Sequence, residues 1–359
     1  MRGTIFAILA AAFLVPVTGC QPLADDAFRE ALPEEEDLAI KMGKQDTASG
    51  ALSSALLDVY ASCEECCIAG EGDAATYVSG DLYKSTRAAI RSVNGGLGVV
   101  FGWIRLITAF HYSSRTSESF TWGPWNETDS DPLSRLSFRF VMTKEADGEF
   151  AFKLEAKNVN AGDGAWESLA WGTVSEGDAP HRGAGTLDLD FDRLHQMDSA
   201  HPSRLYGKVH YDFDVRRASP TATDPNTVAA TFTDFYEKAA WGADPAPVDA
   251  TYKYWRYAAL AGRFEYRATA DVAGPEGRPD GLDESLSAEA RWTTTGEGRA
   301  KAVAESQSVP GITAYQVDEC WADQAGLFYE TWRRDTATPA SGAPWVKTAC
   351  GAEASCPTF

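Results

Sequence analysis

The sequence predicts a mainly β (α+β) protein in which N-terminal helices precede a large antiparallel meander. From Arg135 onward, apolar residues alternate with polar ones, as they do in strands that have one dry and one wet face. Before that point, apolar residues recur at helical spacing instead. We therefore expect a helical segment over residues 51–112 and a β body over residues 113–359 that packs on it.

The first twenty residues have the order of a secretory signal peptide. Arg2 is followed by an apolar run over residues 5–17, and small residues then precede Cys20. The ending Val17-Thr18-Gly19-Cys20 resembles a bacterial lipobox, in which the cysteine thiol takes a diacylglyceryl group and becomes the new N-terminus. We predict a signal peptide over residues 1–19, lipidation at Cys20 and a location in the cell envelope. Gln21 stands where Asp would signal inner-membrane retention, so the outer membrane is favoured.

An acidic segment follows the lipidation site. Residues 20–50 are poor in aromatic side chains and contain Pro33-Glu34-Glu35-Glu36-Asp37, which predicts a flexible tether. The whole chain has a formal net charge of −20. Such a charge disfavours nucleic-acid partners and repels anionic headgroups, so the predicted membrane attachment depends on the lipid.

Three helices are expected before the strands begin. Leu52, Leu56, Val59, Cys63 and Cys66 form one stripe over residues 51–67, and a second helix is expected over residues 79–93. Residues 97–110 are apolar on nearly every side. Because this stretch is short for a membrane span and contains a charge, we predict a helix that is buried on all faces.

The strand pattern is strongest in six places and weaker in six more, which predicts about eleven or twelve short strands. The strong copies centre on residues 136–142, 150–155, 187–191, 205–213, 264–272 and 286–292, and the weaker ones on residues 165–174, 226–235, 251–258, 299–306, 311–319 and 326–334. If the dry side curls around residues 97–110, the result is a curved sheet, a barrel or a half-barrel.

Seven cysteines are present, and lipidation would consume Cys20. The other six are Cys63, Cys66, Cys67, Cys320, Cys350 and Cys356, and an oxidising compartment predicts three disulfides among them. We favour a Cys320–Cys350 pair, with Cys356 joined to the cluster at 63, 66 and 67. Zinc is an alternative for that cluster, although no nearby histidine or second CxxC completes four ligands.

Two groups of residues are candidate binding sites. Asp188, Asp190 and Asp192 resemble the start of a calcium loop, but their strand spacing favours the acidic outer face of a strand that binds a divalent ion weakly at most. His195, Asp198 and His201 are expected in a surface loop. The aromatic candidates are Trp122, Trp125, Tyr254 and Trp255, which could stack on sugars or line an apolar pocket, or simply pack within the sheet.

The layout resembles a group of uncharacterised predicted lipoproteins from myxobacteria and related bacteria. The shared features are the lipobox, the Asn94-Gly95-Gly96 break before an apolar helix, the segment Glu319-Cys320-Trp321-Ala322-Asp323 and a later cysteine, here Cys350. The resemblance implies a β-rich body. It implies no activity or ligand.

Motifs of the common enzyme classes are missing from the sequence: GxSxG, HExxH, a P-loop or a dinucleotide-binding fingerprint. We therefore expect a membrane-anchored, non-catalytic protein without a cofactor. Its role would be structural, interactive or apolar-ligand-binding, with an apolar small molecule or an envelope protein as partner. The alternative is a carboxylate-dependent hydrolase of cell-envelope or extracellular polymers, which needs two carboxylates about 5–10 Å apart and a raised pKa.

Overall fold

The computed structural model describes residues 26–34, 38, 86, 90, 100–102, 104–126, 135–146, 148–198, 204–238, 247–257, 261–270, 284–305, 312–321, 327–336, 345–350 and 356. The signal peptide, Cys20, His201 and the helix predicted over residues 51–67 with its three cysteines lie outside these residues. Residues 86 and 90 are the described part of the second predicted helix, and both are helical and buried.

The chain divides into two compact units. The first comprises Met1–Asp37, Val100–Ala218 and Thr231–Pro247, and the second comprises Leu38–Val99, Ser219–Ala230 and Val248–Phe359. Both consist mainly of antiparallel strands, which confirms the mainly β prediction.

Among its described residues, the first unit contains three short helical stretches, a 3₁₀ turn (Asp163–Ala165) and seven complete strands. The helical stretches are α1 (Asp26–Ala31), α2 (residues 104–109, with residues 100–102 also helical) and α3 (Phe191–Met197). The strands are β1 (Ser114–Arg115), β2 (Ser119–Asn126), β3 (Leu136–Ala146), β4 (Glu149–Asn158), β5 (Glu167–Glu176), β6 (Gly183–Asp190) and β7 (Leu205–Asp214). Strand β8 (Asn226–Glu237) begins in the second unit and ends in the first.

The second unit contains the remaining seven strands. They are β9 (Val248–Arg256), β10 (Gly262–Ala270), β11 (Glu284–Trp292), β12 (Gly298–Glu305), β13 (Ile312–Trp321), β14 (Leu327–Thr336) and β15 (Trp345–Cys350). Within each unit, every described strand pair is antiparallel and joins neighbours in sequence. The meander is thus confirmed. The predicted closed barrel is not, because the described pairing in neither unit returns from the last strand to the first.

The dry face of the first unit is aromatic. Phe120, Trp122, Phe140 and Phe152 form a continuous ladder, with successive ring centroids 5.6–6.2 Å apart. The segments before β1 cover this face of the sheet. Phe101 packs edge-on against Phe213 at 5.3 Å, and the Trp122 indole N–H donates to the Phe110 carbonyl at 3.0 Å.

Residues 26–34, placed by the sequence in the flexible tether, are folded. Phe28, Ala31 and Leu32 have no exposed surface, and the Phe28 ring packs on Phe150 at 5.4 Å. Arg105 donates to the Leu32 carbonyl at 3.1 Å. The segment is acidic overall, but Phe28, Ala31 and Leu32 stand at positions i, i+3 and i+4 and form one helical stripe.

The apolar stretch 97–110 is not buried on all faces, as the sequence had predicted. Ile104, Ile107 and Thr108 of α2 are buried, whereas Leu106 on the opposite side is 42% exposed. Several short segments cover the sheet of this unit side by side. In the described part of the chain no strands surround α2, so only the face of α2 that lies on the sheet is buried. Among the described residues, no helix is both long and apolar enough to span a membrane.

The disulfide pairing differs from the prediction. Cys320 bonds to Cys356, with Cα atoms 5.7 Å apart, so the predicted Cys320–Cys350 pair is wrong, as is a bond from Cys356 to the 63/66/67 cluster. Register explains the difference, because Cys320 pairs with Tyr329 of β14 and Glu330 pairs with Cys350 of β15. A whole strand therefore separates positions 320 and 350, about 10 Å at two strand spacings, beyond the reach of a disulfide.

Candidate binding surface

Two of the four aromatic candidates are core residues. Trp122 is completely buried, and Tyr254 is buried and stacks on Trp292 with centroids 6.0 Å apart. Trp125 is partly buried and packs on the apolar cluster that contains Leu136 and Phe138. For these three side chains, the observed packing matches the alternative that the sequence left open, namely sheet packing.

The fourth candidate, Trp255, is partly buried and lies between two cations. The Arg263 guanidinium is 4.9 Å from its ring centroid and the Lys253 ammonium is 5.0 Å from it. Both distances are within the range of cation–π attraction.

The three aspartates of the predicted weak cation site, Asp188, Asp190 and Asp192, each bind a different partner. The Asp188 carboxylate contacts His210, Asp190 caps α3 by accepting the Arg193 N–H at 2.9 Å, and Asp192 accepts the Gly207 N–H at 2.8 Å. Within the described ranges, no group of three or more His, Cys, Asp or Glu side chains could hold a metal ion. The strand spacing ends at Asp190, because its capping bond starts a helix at Phe191.

His195 lies on α3 and not in a surface loop, as the sequence had predicted. Its ring stacks on Tyr206 at 4.0 Å, and Tyr206 stacks on Tyr236 at 4.9 Å. The Asp190 cap starts α3 at the end of β6, and α3 contacts β7, the strand that contains Tyr206.

The sequence pattern does not single out the most exposed tryptophan, tyrosine or phenylalanine among the residues whose side chains are described. Trp171 of β5 is 37% exposed, and it points away from the dry face because its neighbours Gly172 and Val174 are buried. A register shift in the β4–β5 pairing leaves Leu169 as an extra residue between Ser168 and Ala170. The resulting bulge breaks the period of two, so Leu169 is buried although it is two residues from Trp171.

Trp171 stands in a row of side chains that crosses four strands. Lys153 of β4 is directly opposite Trp171, Asp188 of β6 is opposite it on the other side, and His210 of β7 is opposite Asp188. Asp212 follows two residues after His210 on the same face. We call these five residues the Trp171 surface. Directly opposed side chains in a sheet are about 5 Å apart, so this row offers one continuous platform.

His210 is held between two carboxylates. Its Nδ1 is 2.7 Å from Asp188 Oδ1, and its Nε2 is 3.2 Å from Asp212 Oδ2. Partial burial lowers the pKa of His210, but the hydrogen bonds and negative charges of Asp188 and Asp212 outweigh it and raise the pKa above its usual range. In the protonated form both ring nitrogens donate, which fixes the orientation of all three side chains.

Hydroxyl groups and a second ion-pair network border the surface. Thr173 and Thr186 share a hydrogen bond of 3.3 Å next to Trp171. Lys153 binds the carboxylate of Glu155 at 2.6 Å, and Arg139 binds the same carboxylate at 2.6 Å. Charges of both signs therefore balance locally around an apolar ring, an arrangement that suits an uncharged ligand with many hydroxyl groups.

The carboxylate-hydrolase alternative depends on a carboxyl group with a raised pKa. Asp163 and Asp214 are two described carboxyls whose pKa departs clearly from its usual value, and in both it is lowered. The hydrogen bond from Lys157 lowers the pKa of Asp163, while hydrogen bonds from Arg216 and Arg217 overcome the effect of burial on Asp214. Neither group is prepared to act as a general acid.

Comparison with protein-family models, with curated proteins and with solved structures finds no match to this chain. Its resemblance to the myxobacterial lipoproteins stays a prediction. The class that the fold defines is an antiparallel β-meander protein with a disulfide.

Proposed function

We propose that the protein is an exported, lipid-anchored, non-catalytic binding protein of the cell envelope that recognises uncharged saccharides through the Trp171 surface. The signal peptide and lipobox support the location, and the Cys320–Cys356 disulfide is the expected product of an oxidising compartment. The exposed Trp171 in its polar row is the observation on which the binding role depends.

A binding role on the outer face is supported by the way the inner face is filled. In the first unit the dry side of the sheet packs against the chain's own Phe28 and Phe101, and Trp122 donates to the Phe110 carbonyl. This packing favours an interaction role over the binding of an apolar molecule inside the sheet. Side chains of the outer face remain for recognition.

The chemistry of the Trp171 surface matches a pyranose ring. One face of such a ring carries C–H groups that pack on an indole, and its edge carries hydroxyls that donate to carboxylates and accept from lysine. Trp171 supplies the platform, Asp188 and Asp212 the acceptors, and Lys153 the donor, while both N–H groups of His210 stay bonded to the two carboxylates. Because His210 locks the two carboxylates in place, little side-chain entropy is lost on binding.

Lipidation is tested with two matched cysteine variants expressed in a Gram-negative host. Cys20→Ala should lose both labelling by radioactive palmitate and recovery in the membrane fraction. Cys356→Ala should keep both, because it removes only a disulfide partner. A Cys20→Ala protein that is still labelled and membrane-bound would refute the anchor.

Saccharide binding is tested by titration calorimetry on the soluble Cys20→Ala protein. The probes are hexasaccharides of N-acetylglucosamine, α-1,4-linked glucose and β-1,3-linked glucose. We expect at least one to bind, Trp171→Ala to weaken that binding at least ten-fold, and Trp171→Phe to restore part of it. Leu106→Ala removes another large apolar side chain that is exposed in the described part of the chain, and it should change nothing. Absence of binding to all three probes, or equal binding by Trp171→Ala, would reject the saccharide role.

A further inference from the structure

Three arginines lie side by side on the outer face of the second unit. Arg263 of β10 is directly opposite Arg291 of β11, which is directly opposite Arg299 of β12. We call these three residues the Arg row. Like charges in direct opposition destabilise a sheet, so their arrangement calls for a compensating interaction.

Part of the compensation comes from carboxylates one register step away. Arg291 donates to Glu289 at 2.6 Å, Arg263 lies 3.1 Å from the same Glu289, and Arg299 forms a two-pronged contact with Asp318 at 2.9 and 2.5 Å. Glu265 contacts Arg263 as well. These contacts orient the guanidinium groups, and the arginine side chains keep 28–40% of their surface exposed.

Positive charge exceeds negative charge at this end of the face. Lys253, Arg267 and Lys301 lie one or two registers from the Arg row and add three cations to it, against the four carboxylates of Glu265, Glu289, Asp318 and Glu297. Asp249 and Glu305 lie one register further away. The positive charge is therefore concentrated at the Arg row, on a chain whose net charge is −20.

We propose that the Arg row docks on the phosphate groups of an anionic lipid surface. Guanidinium groups recognise phosphate oxygens with paired N–H donors, and three of them at strand spacing span about 10 Å of a flat face. The choice of a membrane as partner depends on the proposed anchor at Cys20, because tethering gives that surface a high effective concentration. Dissolved salt screens the negative charges of the rest of the chain at distances beyond about 10 Å. The local excess of positive charge therefore governs the contact with the lipid surface.

The test separates the Arg row from the anchor by using the soluble Cys20→Ala protein. Co-sedimentation is measured with vesicles of phosphatidylcholine alone and with one quarter phosphatidylglycerol. Binding should require the anionic lipid. Arg291→Gln should weaken it about five-fold, the effect of one basic residue near a membrane surface.

A variant of opposite sign distinguishes docking from a purely structural network. Glu289→Gln removes the carboxylate shared by Arg263 and Arg291, so it should strengthen vesicle binding several-fold. Lys208→Gln, which removes an exposed cation from the first unit, should leave binding unchanged. Glu289→Gln protein that binds no better than the parent, or parent protein that binds soluble polyphosphate but not the anionic vesicles, would overturn the proposal. Because the vesicle assays use the soluble Cys20→Ala protein, their outcomes do not depend on whether Cys20 is lipidated in cells.

Discussion

At the scale of single residues, a row of alternating tryptophan and glycine builds the dry face of the second unit. Gly262, Trp292, Gly298 and Trp321 are directly opposed on consecutive strands. Trp292 and Trp321 are fully buried, and the Trp321 indole N–H donates to the Gly296 carbonyl at 3.0 Å. Each large ring thus occupies the space above a residue that has no side chain, which gives close packing.

Gly298→Ala should destabilise the protein by about 1–3 kcal/mol or more, because overpacking a core costs that amount. A Cβ atom at this position would lie 2.2 Å from Cζ2 of Trp321. Urea unfolding of the purified variant measures the change. Gly102→Ala is the matched control, since nothing lies within 4 Å of a Cβ at that exposed helical position, and it should raise stability by up to about 1 kcal/mol. Equal effects of both variants would refute the packing argument.

At the scale of elements, alternation located the long hairpins and failed where a bulge interrupts the period. The pattern at residues 136–142 lies within β3, and the pattern at residues 165–174 overlaps β5. Strand β2 was missed because Gly123-Pro124 is typical of a turn. The structure accommodates this dipeptide in a register shift between Trp122 and Trp125, so the strand continues on both sides of it.

Phe28→Ala tests whether α1 is part of the folded unit. Because Phe28 is fully buried and packs on Phe150, its truncation should lower the free energy of unfolding by about 3–5 kcal/mol. Glu30→Ala changes an exposed side chain of the same helix and should shift stability by less than about 0.5 kcal/mol. Chemical denaturation of the two variants gives the comparison. If residue 28 belonged to a flexible tether, both substitutions would be silent.

At the scale of the whole molecule, the Cys320–Cys356 disulfide joins Cys356 to β13 across 36 residues of sequence. Both cysteines are buried, and Cys320 is on the same face of the sheet as Arg299, its cross-strand partner. The bond therefore holds Cys356 next to the strand that pairs with Arg299 of the Arg row.

Cys356→Ser should reduce stability by about 4 kcal/mol in the chain-entropy model, given the sequence separation of 36 residues. The measurement is urea unfolding of wild-type and variant protein, each with and without a reductant. Reductant should destabilise the wild type by a similar amount and the variant much less. A wild-type protein that is insensitive to reductant under unfolding conditions would contradict a stabilising disulfide.

The sequence by itself determined the antiparallel meander, because alternation over many consecutive segments depends only on which residues avoid water. It also supplied the predictions of export and of lipidation at Cys20, which are read from local patterns. Tertiary structure decided which cysteines meet, which aromatic side chains face solvent and how the arginines align, since each depends on strand register. A single bulge in the β4–β5 pairing exposes Trp171, and strand β14 separates Cys320 from Cys350. The register of a strand pair depends on both strands, so the local sequence pattern of one strand does not encode it.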